Sequence, residues 1–421
     1  GFNVASVTTD FDGQTRSGLT PVDIGADAGD FTALDIYSPS ITYTALVNTG
    51  LTTARTLTAS ITDASGIPTS GAGLPVLYWK IGAGAYTAAT GTYVSGNDYS
   101  FSFGSGVVVT DVISYYIVAQ DLASTPNLNI SPAAGASGLS ASPPAASTPP
   151  TTPSSYSILN SLSGTVTVGP GGNYTSLTGA SPNGFFAAVN GGVLTGNMTV
   201  NIIGDISESG TNGLSQWLEE GVGNYTVTIQ PSDATVKNIT AAYAGALIRL
   251  DGCDRVTIDG RFGGSGRYLL FRNTNTTNST LNIQSDASGN TIRNCVIEGA
   301  NTTSTQGVIF ITPGSTFVTG NDNNTITENQ IRDRSDGAGV PANLIYVAGY
   351  SVTVRNSGNT ISNNELFNFT STGVFLAATN SATENSTVTG NTIYQTVARS
   401  TAVYGVQVNT LGTSNTISQN T

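Results

Sequence analysis

A short unit built around Thr-Ile or Thr-Val recurs through the second half of this 421-residue chain. The aliphatic residue of each unit is its anchor, and the six anchors are Ile258, Ile292, Ile326, Ile361, Val388 and Ile417. They lie 34, 34, 35, 27 and 29 residues apart. Each anchor is preceded by a second apolar stretch, at 246–250, 280–283, 307–311, 344–347, 373–377 and 404–408. Coils of short strands without a helical period predict a right-handed parallel β-helix, because each coil must bury its apolar side chains against adjacent coils.

A second position repeats three residues after the anchor. Asparagine occupies it in the later coils, at Asn329, Asn364, Asn391 and Asn420, and Cys295 occupies it one coil earlier. Asn tolerates left-handed backbone, and its amide can bond the backbone of a turn, so we predict an internal Asn ladder. Cys295 is expected to be a small buried thiol in that ladder; a disulfide to Cys253 is the alternative. Asn364→Ala should cost about 1–2 kcal/mol through unmet buried hydrogen bonds.

The first part of the chain has a different pattern. Residues 32–130 contain runs with strand-like alternation, at 39–46, 55–63, 75–82, 97–104 and 112–121, separated by turn residues. This spacing predicts an antiparallel β-sandwich, with Trp79, Tyr115 and Tyr116 in the core between its sheets. The runs "LYWKIGAGAY" and "ISYYIVAQD" resemble immunoglobulin-like or fibronectin-like spacer modules of bacterial surface proteins.

Residues 131–159 separate these two regions. They are dominated by Pro, Ser, Thr, Ala and Gly. Such a composition is typical of segments that cannot bury enough apolar surface to fold as a core. We therefore predict a linker, with a long surface loop as the alternative.

Composition excludes several classes of function. The net charge is −12 and the lysines are Lys80 and Lys237, so no basic stripe is available for nucleic acid. No stretch approaches the roughly 18 apolar residues of a membrane span. The sequence has no histidine. Catalysis by an imidazole base is therefore impossible, and we predict that the chain is not an enzyme.

Weaker patterns give candidate sites for catalysis and for metal binding. The densest acidic group of the repeat region consists of Asp251, Asp254 and Asp259. Carbohydrate-active β-helix enzymes would need such clustered acids for catalysis. A structural role for these three residues is nevertheless favoured. Asp10 and Asp12 in "DFDGQ" begin like a calcium loop but lack its later ligands. No cofactor is therefore expected, with Ca²⁺ as the alternative.

Aromatic side chains are the usual platform for binding sugars. Trp217 is therefore a candidate ligand contact. A structural position in the cap of the repeat region is favoured over ligand binding for this residue. No stripe of Tyr or Trp is apparent along successive coils, so the sequence offers no obvious glycan groove.

The start of the repeat region has its own signature. Residues 169–210 contain the amphipathic segment "GFFAAVNGG", in which Phe185, Phe186 and Val189 are expected to plug the open end of the solenoid. With "YTVTIQPSD" and "ALIRLDGCDRVTIDG", this block resembles the β-helix domains of large secreted bacterial surface proteins that use the type IX export route. The N-terminal "DFDGQTRSG" and "PVDIGA" resemble the closing coil of such a β-helix.

The resemblance implies one period of a tandem array. Residues 1–31 would be the closing coil of a preceding β-helix, 32–130 a sandwich, 131–159 a linker and 160–421 a capped β-helix that stops in mid-coil. We expect an all-β structural or adhesive segment of an extracellular fibre on a bacterial cell surface. Its partners would be neighbouring repeats or identical subunits arranged head to tail, with surface glycans as a further candidate. The alternative functions are a polysaccharide lyase or hydrolase and a self-assembling filament subunit.

Overall fold

The structure is a computed structural model that describes residues 6–11, 13–16, 34–314, 317–377, 383–410 and 412–421. The chain divides into two compact units, Gly1–Ile158 and Leu159–Thr421. Almost all regular structure in the described residues is β, as the sequence predicts. Among these residues, none of the helices is long and apolar enough to cross a membrane.

The first unit is a β-sandwich of antiparallel sheets. Its strands are β1 (Ser40–Thr42), β2 (Arg55–Thr62), β3 (Val76–Ile81), β4 (Thr87–Thr90), β5 (Thr92–Ser95), β6 (Asp98–Phe103), β7 (Val112–Gln120), β8 (Leu128–Ser131), β9 (Ser137–Ser140), β10 (Ala145–Thr148) and β11 (Ser154–Ser157). One sheet has the order β1-β2-β6-β5 and the other β11-β7-β3-β4, with β8 also paired to β7. The five predicted alternating runs supply β1, β2, β3, β6 and β7.

Neighbouring tyrosines of β7 serve different layers of this unit. Tyr115 is fully buried between the two sheets, and Trp79 packs against that cluster. Tyr116 lies in a separate cluster with Val118 and Ile130, so its predicted place in the inter-sheet core is wrong. The physical reason is that successive side chains of a strand point to opposite faces of the sheet.

The predicted linker is also wrong over most of its length, because residues 131–157 contribute strands to the sandwich unit. β9 and β10 form an antiparallel hairpin, and β11 pairs with β7. Leu139 and Ala146 of the hairpin pack against the Tyr116 cluster, and the Tyr78 hydroxyl donates to the Pro144 carbonyl at 3.0 Å. Small residues suffice here because the hairpin only covers apolar rings that the sheet itself provides.

The second unit is a right-handed parallel β-solenoid of about eight turns. Its elements are β12 (Ser161–Val168), α1 (Phe185–Asn190), β13 (Val193–Ile202), β14 (Ile206–Ser207), β15 (Leu218–Glu219), β16 (Val227–Pro231), β17 (Lys237–Ala241), β18 (Ile248–Asp251), β19 (Val256–Asp259), β20 (Leu269–Asn273), β21 (Leu281–Gln284), β22 (Thr291–Arg293), β23 (Val296–Gly299), β24 (Ile309–Ile311), β25 (Thr325–Thr327), β26 (Gln330–Asp333), β27 (Asn343–Ala348), β28 (Asn356–Ser357), β29 (Thr360–Ser362), β30 (Glu365–Phe367), β31 (Thr372–Ala377), β32 (Thr383–Glu384), β33 (Thr387–Thr389), β34 (Thr392–Tyr394), β35 (Tyr404–Val408) and β36 (Thr416–Ser418).

Three long parallel sheets run along the solenoid, and β28 and β32 form a short fourth one. The anchor sheet has the order β12-β13-β16-β19-β22-β25-β29-β33-β36, with β15 also paired to β13. The second sheet has the order β14-β17-β20-β23-β26-β30-β34, and the third sheet β18-β21-β24-β27-β31-β35. The apolar stretches that precede the anchors supply the strands of the third sheet.

The anchors stack in register along the anchor sheet. Ile258 pairs with Ile292, and the series continues without a shift through Val388 to Ile417. The five anchors from Ile258 to Val388 are at most 1% exposed. Each anchor therefore rests on the equivalent side chain of the next coil, as the spacing predicts.

The turns beside the anchor strands share one backbone conformation. The residue two places after the anchor has positive φ in successive coils: Asn294 (51°), Glu328 (58°), Asn363 (54°), Gly390 (67°) and Gln419 (53°). This left-handed residue turns the chain from the anchor sheet into the second sheet. The expected asparagine therefore follows the strained position instead of occupying it.

Helix α1 closes one end of the solenoid core. Phe185, Phe186 and Val189 are fully buried in the main apolar cluster of this unit. The ring of Tyr174 meets Phe185 edge-on at 5.5 Å between centroids. Phe185, Phe186 and Val189 therefore lie at the end of the solenoid core, where the sequence predicts a plug.

Candidate functional site

The asparagines three residues after the anchors form a buried ladder from coil to coil. They are Asn329, Asn364, Asn391 and Asn420. The Oδ1 of each accepts the backbone N–H of the equivalent residue one coil earlier, at 2.9–3.0 Å, starting from Cys295. The Nδ2 of each donates to the anchor carbonyl of the preceding coil, at 2.9–3.0 Å. One side chain thus satisfies a donor and an acceptor of the neighbouring turn.

A second ladder, which sequence reasoning missed, lies on the other side of the anchors. Its members stand two residues before the five anchors from Ile292 onward: Asn290, Asn324, Asn359, Ser386 and Asn415. Asn290 N–H donates to Asn324 Oδ1 at 3.0 Å, and Asn324 N–H donates to Asn359 Oδ1 at 2.9 Å. The recurring Asn-Thr-Ile triplet was the available signal. A shorter third ladder joins Ala287, Asn321 and Asn356.

Both cysteines are buried free thiols in the solenoid core. Cys295 stands at the ladder position, and its Sγ donates to the Arg293 carbonyl at 3.2 Å. Burial raises the pKa of both thiols far above the ordinary range. These side chains fill space, and neither has the lowered pKa of a reactive cysteine.

We expect neither thiol to react with a disulfide reagent such as DTNB while the protein is folded. In denaturant both should react, because unfolding exposes the sulfurs and restores an ordinary thiol pKa. The measurement is the absorbance of the released chromophore with time. Rapid reaction of the folded protein, or no free thiol after unfolding without reductant, would contradict this assignment.

The three acids proposed for catalysis are each engaged separately. Asp251 accepts from Gln284 Nε2 at 3.1 Å, and Asp254 accepts from the Ser288 N–H at 2.8 Å. Asp259 forms ion pairs with Arg261 and Arg293. Although burial raises the pKa of Asp259, these two arginines hold it below the ordinary value. Each of the three carboxylates thus bonds a different residue of the next coil.

The densest charged network lies on the outer side of the second sheet. Glu298 is fully buried between Arg272, at 2.6 Å, and Arg332, at 2.8 Å, on the strands to either side. Arg272 also contacts Asp336 at 3.2 Å, and Asp336 contacts Arg334 at 2.9 Å. This network pairs its charges internally across β20, β23 and β26.

The remaining weak candidates have structural surroundings too. Trp217 is 4% exposed, and its Nε1 donates to Glu219 at 2.9 Å, so its assignment as a ligand contact is wrong and it belongs to the core near the cap. Asp10 Oδ1 accepts the Gln14 N–H at 2.7 Å within a short turn. Asp12 and the "PVDIGA" segment lie outside the described residues.

An open pocket of about 440 Å³ lies on the surface of the solenoid. It is lined by Thr319, Asp322, Val352, Thr353, Arg355, Ser357 and Glu384. Burial, with the charges of Asp286 and Glu384, raises the pKa of Asp322. Arg355 is ion-paired with Glu384, and Asp322 accepts the Ser357 N–H at 2.7 Å. The pocket's charged groups thus have protein partners.

Three carboxylates meet in the sandwich unit, where no site was predicted. Oxygens of Asp35, Asp63 and Asp121 all lie within 4.8 Å of one another, so these three carboxylates are close enough to share one cation. Burial and the charges of the other two carboxylates raise the pKa of Asp63. A hydrogen bond from Ser65 lowers the pKa of Asp35. These residues are far apart in sequence, so no local motif marks them.

Replacing Asp63 by asparagine should raise the thermal midpoint of the sandwich unit near neutral pH. Because the folded pKa of Asp63 is raised, its charged form opposes folding above the unfolded pKa, and that opposition disappears as pH falls through the folded pKa. Asparagine removes the charge and keeps an acceptor for the Ser65 N–H. Calorimetry over a pH series should show the gain shrinking in acid. The exposed Asp98→Asn is the control, and a lower midpoint for Asp63→Asn at neutral pH would refute the explanation.

Aromatic side chains also line up on the outer face of the third sheet, which sequence inspection did not reveal. Phe310, Tyr346 and Phe375 pair in register on β24, β27 and β31. Their ring centroids are 5.5 Å and 5.1 Å apart, with edge-to-face geometry. These strands carry apolar residues on both faces, so the sequence pattern does not distinguish the outward-facing member of each run.

The parallel sheets, buried anchors and Asn ladders define the second unit as a right-handed β-helix. The family model described as "Right handed beta helix region" matches residues 225–421, from just before β16 through β36. No curated protein matches the chain.

Proposed function

We propose that this chain is a non-catalytic structural segment of an extracellular bacterial surface protein, of the fibrous or adhesive kind that uses type IX export. The observation that carries the proposal is the Asn ladder, which runs through five coils from Cys295 to Asn420 in one register. Buried, fully satisfied hydrogen-bond networks of this type rigidify a fold. The resemblance of the cap region supports the assignment to large surface proteins.

The arrangement of acids supports a non-catalytic role. Enzymatic polysaccharide cleavage commonly uses two carboxylates with different protonation states in an open groove. Here Asp251, Asp254 and Asp259 each bond a different residue of the next coil, and Glu298 is enclosed between two arginines. The sequence has no histidine to substitute for them.

Single-molecule pulling on the solenoid tests the mechanical role. If the ladders bind each coil to the next, the solenoid should resist force and then extend by abrupt release of whole coils. The Asn364→Ala variant should release at lower force. Smooth extension at low force, unaffected by that substitution, would refute a load-carrying role.

Incubation with acidic and neutral polysaccharides tests the enzymatic alternative. We expect neither new reducing ends nor unsaturated products. The product assay needs a known lyase and a known hydrolase as positive controls. Turnover that is lost in Asp259→Asn would replace the structural proposal with a catalytic one.

A further inference from the structure

The outer face of the third sheet carries one continuous row of side chains along the solenoid axis. From β18 to β35 the row consists of Arg249, Asn282, Phe310, Tyr346, Phe375 and Gln407. The residues flanking Phe310, Ile309 and Ile311, are fully buried in the core, so alternation directs Phe310 outward. The same holds for Phe375 between Val374 and Leu376. Phe310 and Phe375 remain partly exposed.

Amide groups bracket the aromatic part of this row. Asn282 precedes it and Gln407 follows it, each one coil away. Asn282 Nδ2 donates to Gln284 at 3.3 Å, and its buried Oδ1 has no hydrogen-bond partner. Gln407 Oε1 accepts from the Thr372 hydroxyl at 3.1 Å, which leaves its amide N–H groups for another acceptor. The row therefore presents an apolar centre with a free amide donor, that of Gln407, at one end.

The charge of the row selects among ligands. Between Asn282 and Gln407 it contains only aromatic rings. The guanidinium of Arg249, at one end, donates to the carbonyls of Gly210 and Thr211 at 2.7 and 2.8 Å. An anionic polymer would thus meet no unengaged cation in the row, on a protein whose net charge is −12. A neutral ligand is the better match.

We propose that this face binds an extended neutral polysaccharide that runs parallel to the solenoid axis. The apolar C–H faces of pyranose rings would pack on Phe310 and Phe375, and a sugar hydroxyl would accept from the amide N–H groups of Gln407. Neighbouring coils are about 4.8 Å apart, close to the length of one sugar residue in an extended chain. Successive sugars would therefore meet successive coils. This inference deepens the proposed adhesive role and depends on it.

Affinity electrophoresis tests the proposal with defined probes. The full chain would be run through gels containing galactomannan, hydroxyethyl cellulose or polygalacturonate. We expect retardation in at least one neutral gel. The double substitution Phe310→Leu with Phe375→Leu, which keeps apolar packing but removes both rings, should weaken binding about tenfold. Phe367→Leu is the matched control, because Phe367 stacks on Tyr394 in the second sheet.

Each outcome of the electrophoresis experiment either supports or overturns the proposed binding site. Retardation that is lost in the double variant and kept in the control supports the site. Lack of retardation by folded protein in both neutral gels, equal retardation of protein and double variant, or retardation in polygalacturonate alone overturns it. If the double variant unfolds in circular dichroism, Gln407→Ala is used instead and should also reduce retardation. Reducing ends measured in the same gels report catalysis independently, so failure of the structural proposal is distinguishable from failure of this one.

Discussion

Replacing Asn364 by alanine should lower the free energy of unfolding of the solenoid by about 3 kcal/mol. The side chain accepts the Asn329 backbone N–H at 3.0 Å and donates to the Ile326 carbonyl at 2.9 Å, and both of these groups are buried. It also bonds the amides of Asn329 and Asn391. Alanine leaves a buried donor and a buried acceptor unmet, each costing about 1–3 kcal/mol, so the expected loss exceeds the sequence-based value.

Denaturant titration monitored by circular dichroism measures this loss. Asn409→Ala is the matched control, because Asn409 is exposed in the same part of the chain. Its midpoint should stay close to that of the unaltered protein. Equal midpoints for the two variants would show that the ladder does not contribute to stability.

Replacing Glu298 by alanine should have an effect of comparable size, about 3–5 kcal/mol. Glu298 is buried between Arg272 and Arg332, which occupy equivalent positions on adjacent strands. Without the carboxylate, Arg332 loses its ion pair and Arg272 keeps only its contact with the more exposed Asp336, although both guanidinium groups have little exposure. Most of the expected loss in the free energy of unfolding therefore comes from leaving buried positive charge without compensation. Less of it comes from the attraction within the original ion pairs.

Two comparisons test that explanation through thermal and denaturant unfolding. Arg267→Ala, which breaks the partly exposed pair with Glu365, should cost at most about 1 kcal/mol. Changing Arg272, Glu298 and Arg332 together to apolar residues should recover most of the stability lost in Glu298→Ala. If the triple variant is as unstable as the single one, lost packing and not unpaired charge is responsible.

The sequence predicts the solenoid well because equivalent side chains make the same contacts in successive coils. Ile292 and Ile326 occupy equivalent places in consecutive coils, so one alignment defines the register of the whole anchor sheet. The sequence fails where structure depends on partners distant along the chain. The apolar face around Tyr116 recruits the hairpin β9–β10, whose composition alone resembles a linker.

The candidate sites follow the same division. Asn364 was found because its neighbours repeat, whereas the Asp35, Asp63 and Asp121 cluster joins three unrelated loops and leaves no pattern. The aromatic row is an intermediate case. Its members recur at the third-sheet position, but Phe310 and Tyr346 lie within uniformly apolar strands, so composition does not separate the outward residue from the core.

The ladders also determine which changes in length the solenoid can tolerate. Each asparagine fastens the turn of the coil before it, so a coil removed or duplicated as a whole leaves every remaining turn with its partner. The anchor spacing varies from 27 to 35 residues, yet positive φ recurs three residues before and two after the anchors Ile292, Ile326 and Ile361. Length is therefore free to vary in the loops between sheets and is fixed across the anchor turns. Duplication of complete coils therefore lengthens such a solenoid without changing the packing of its core.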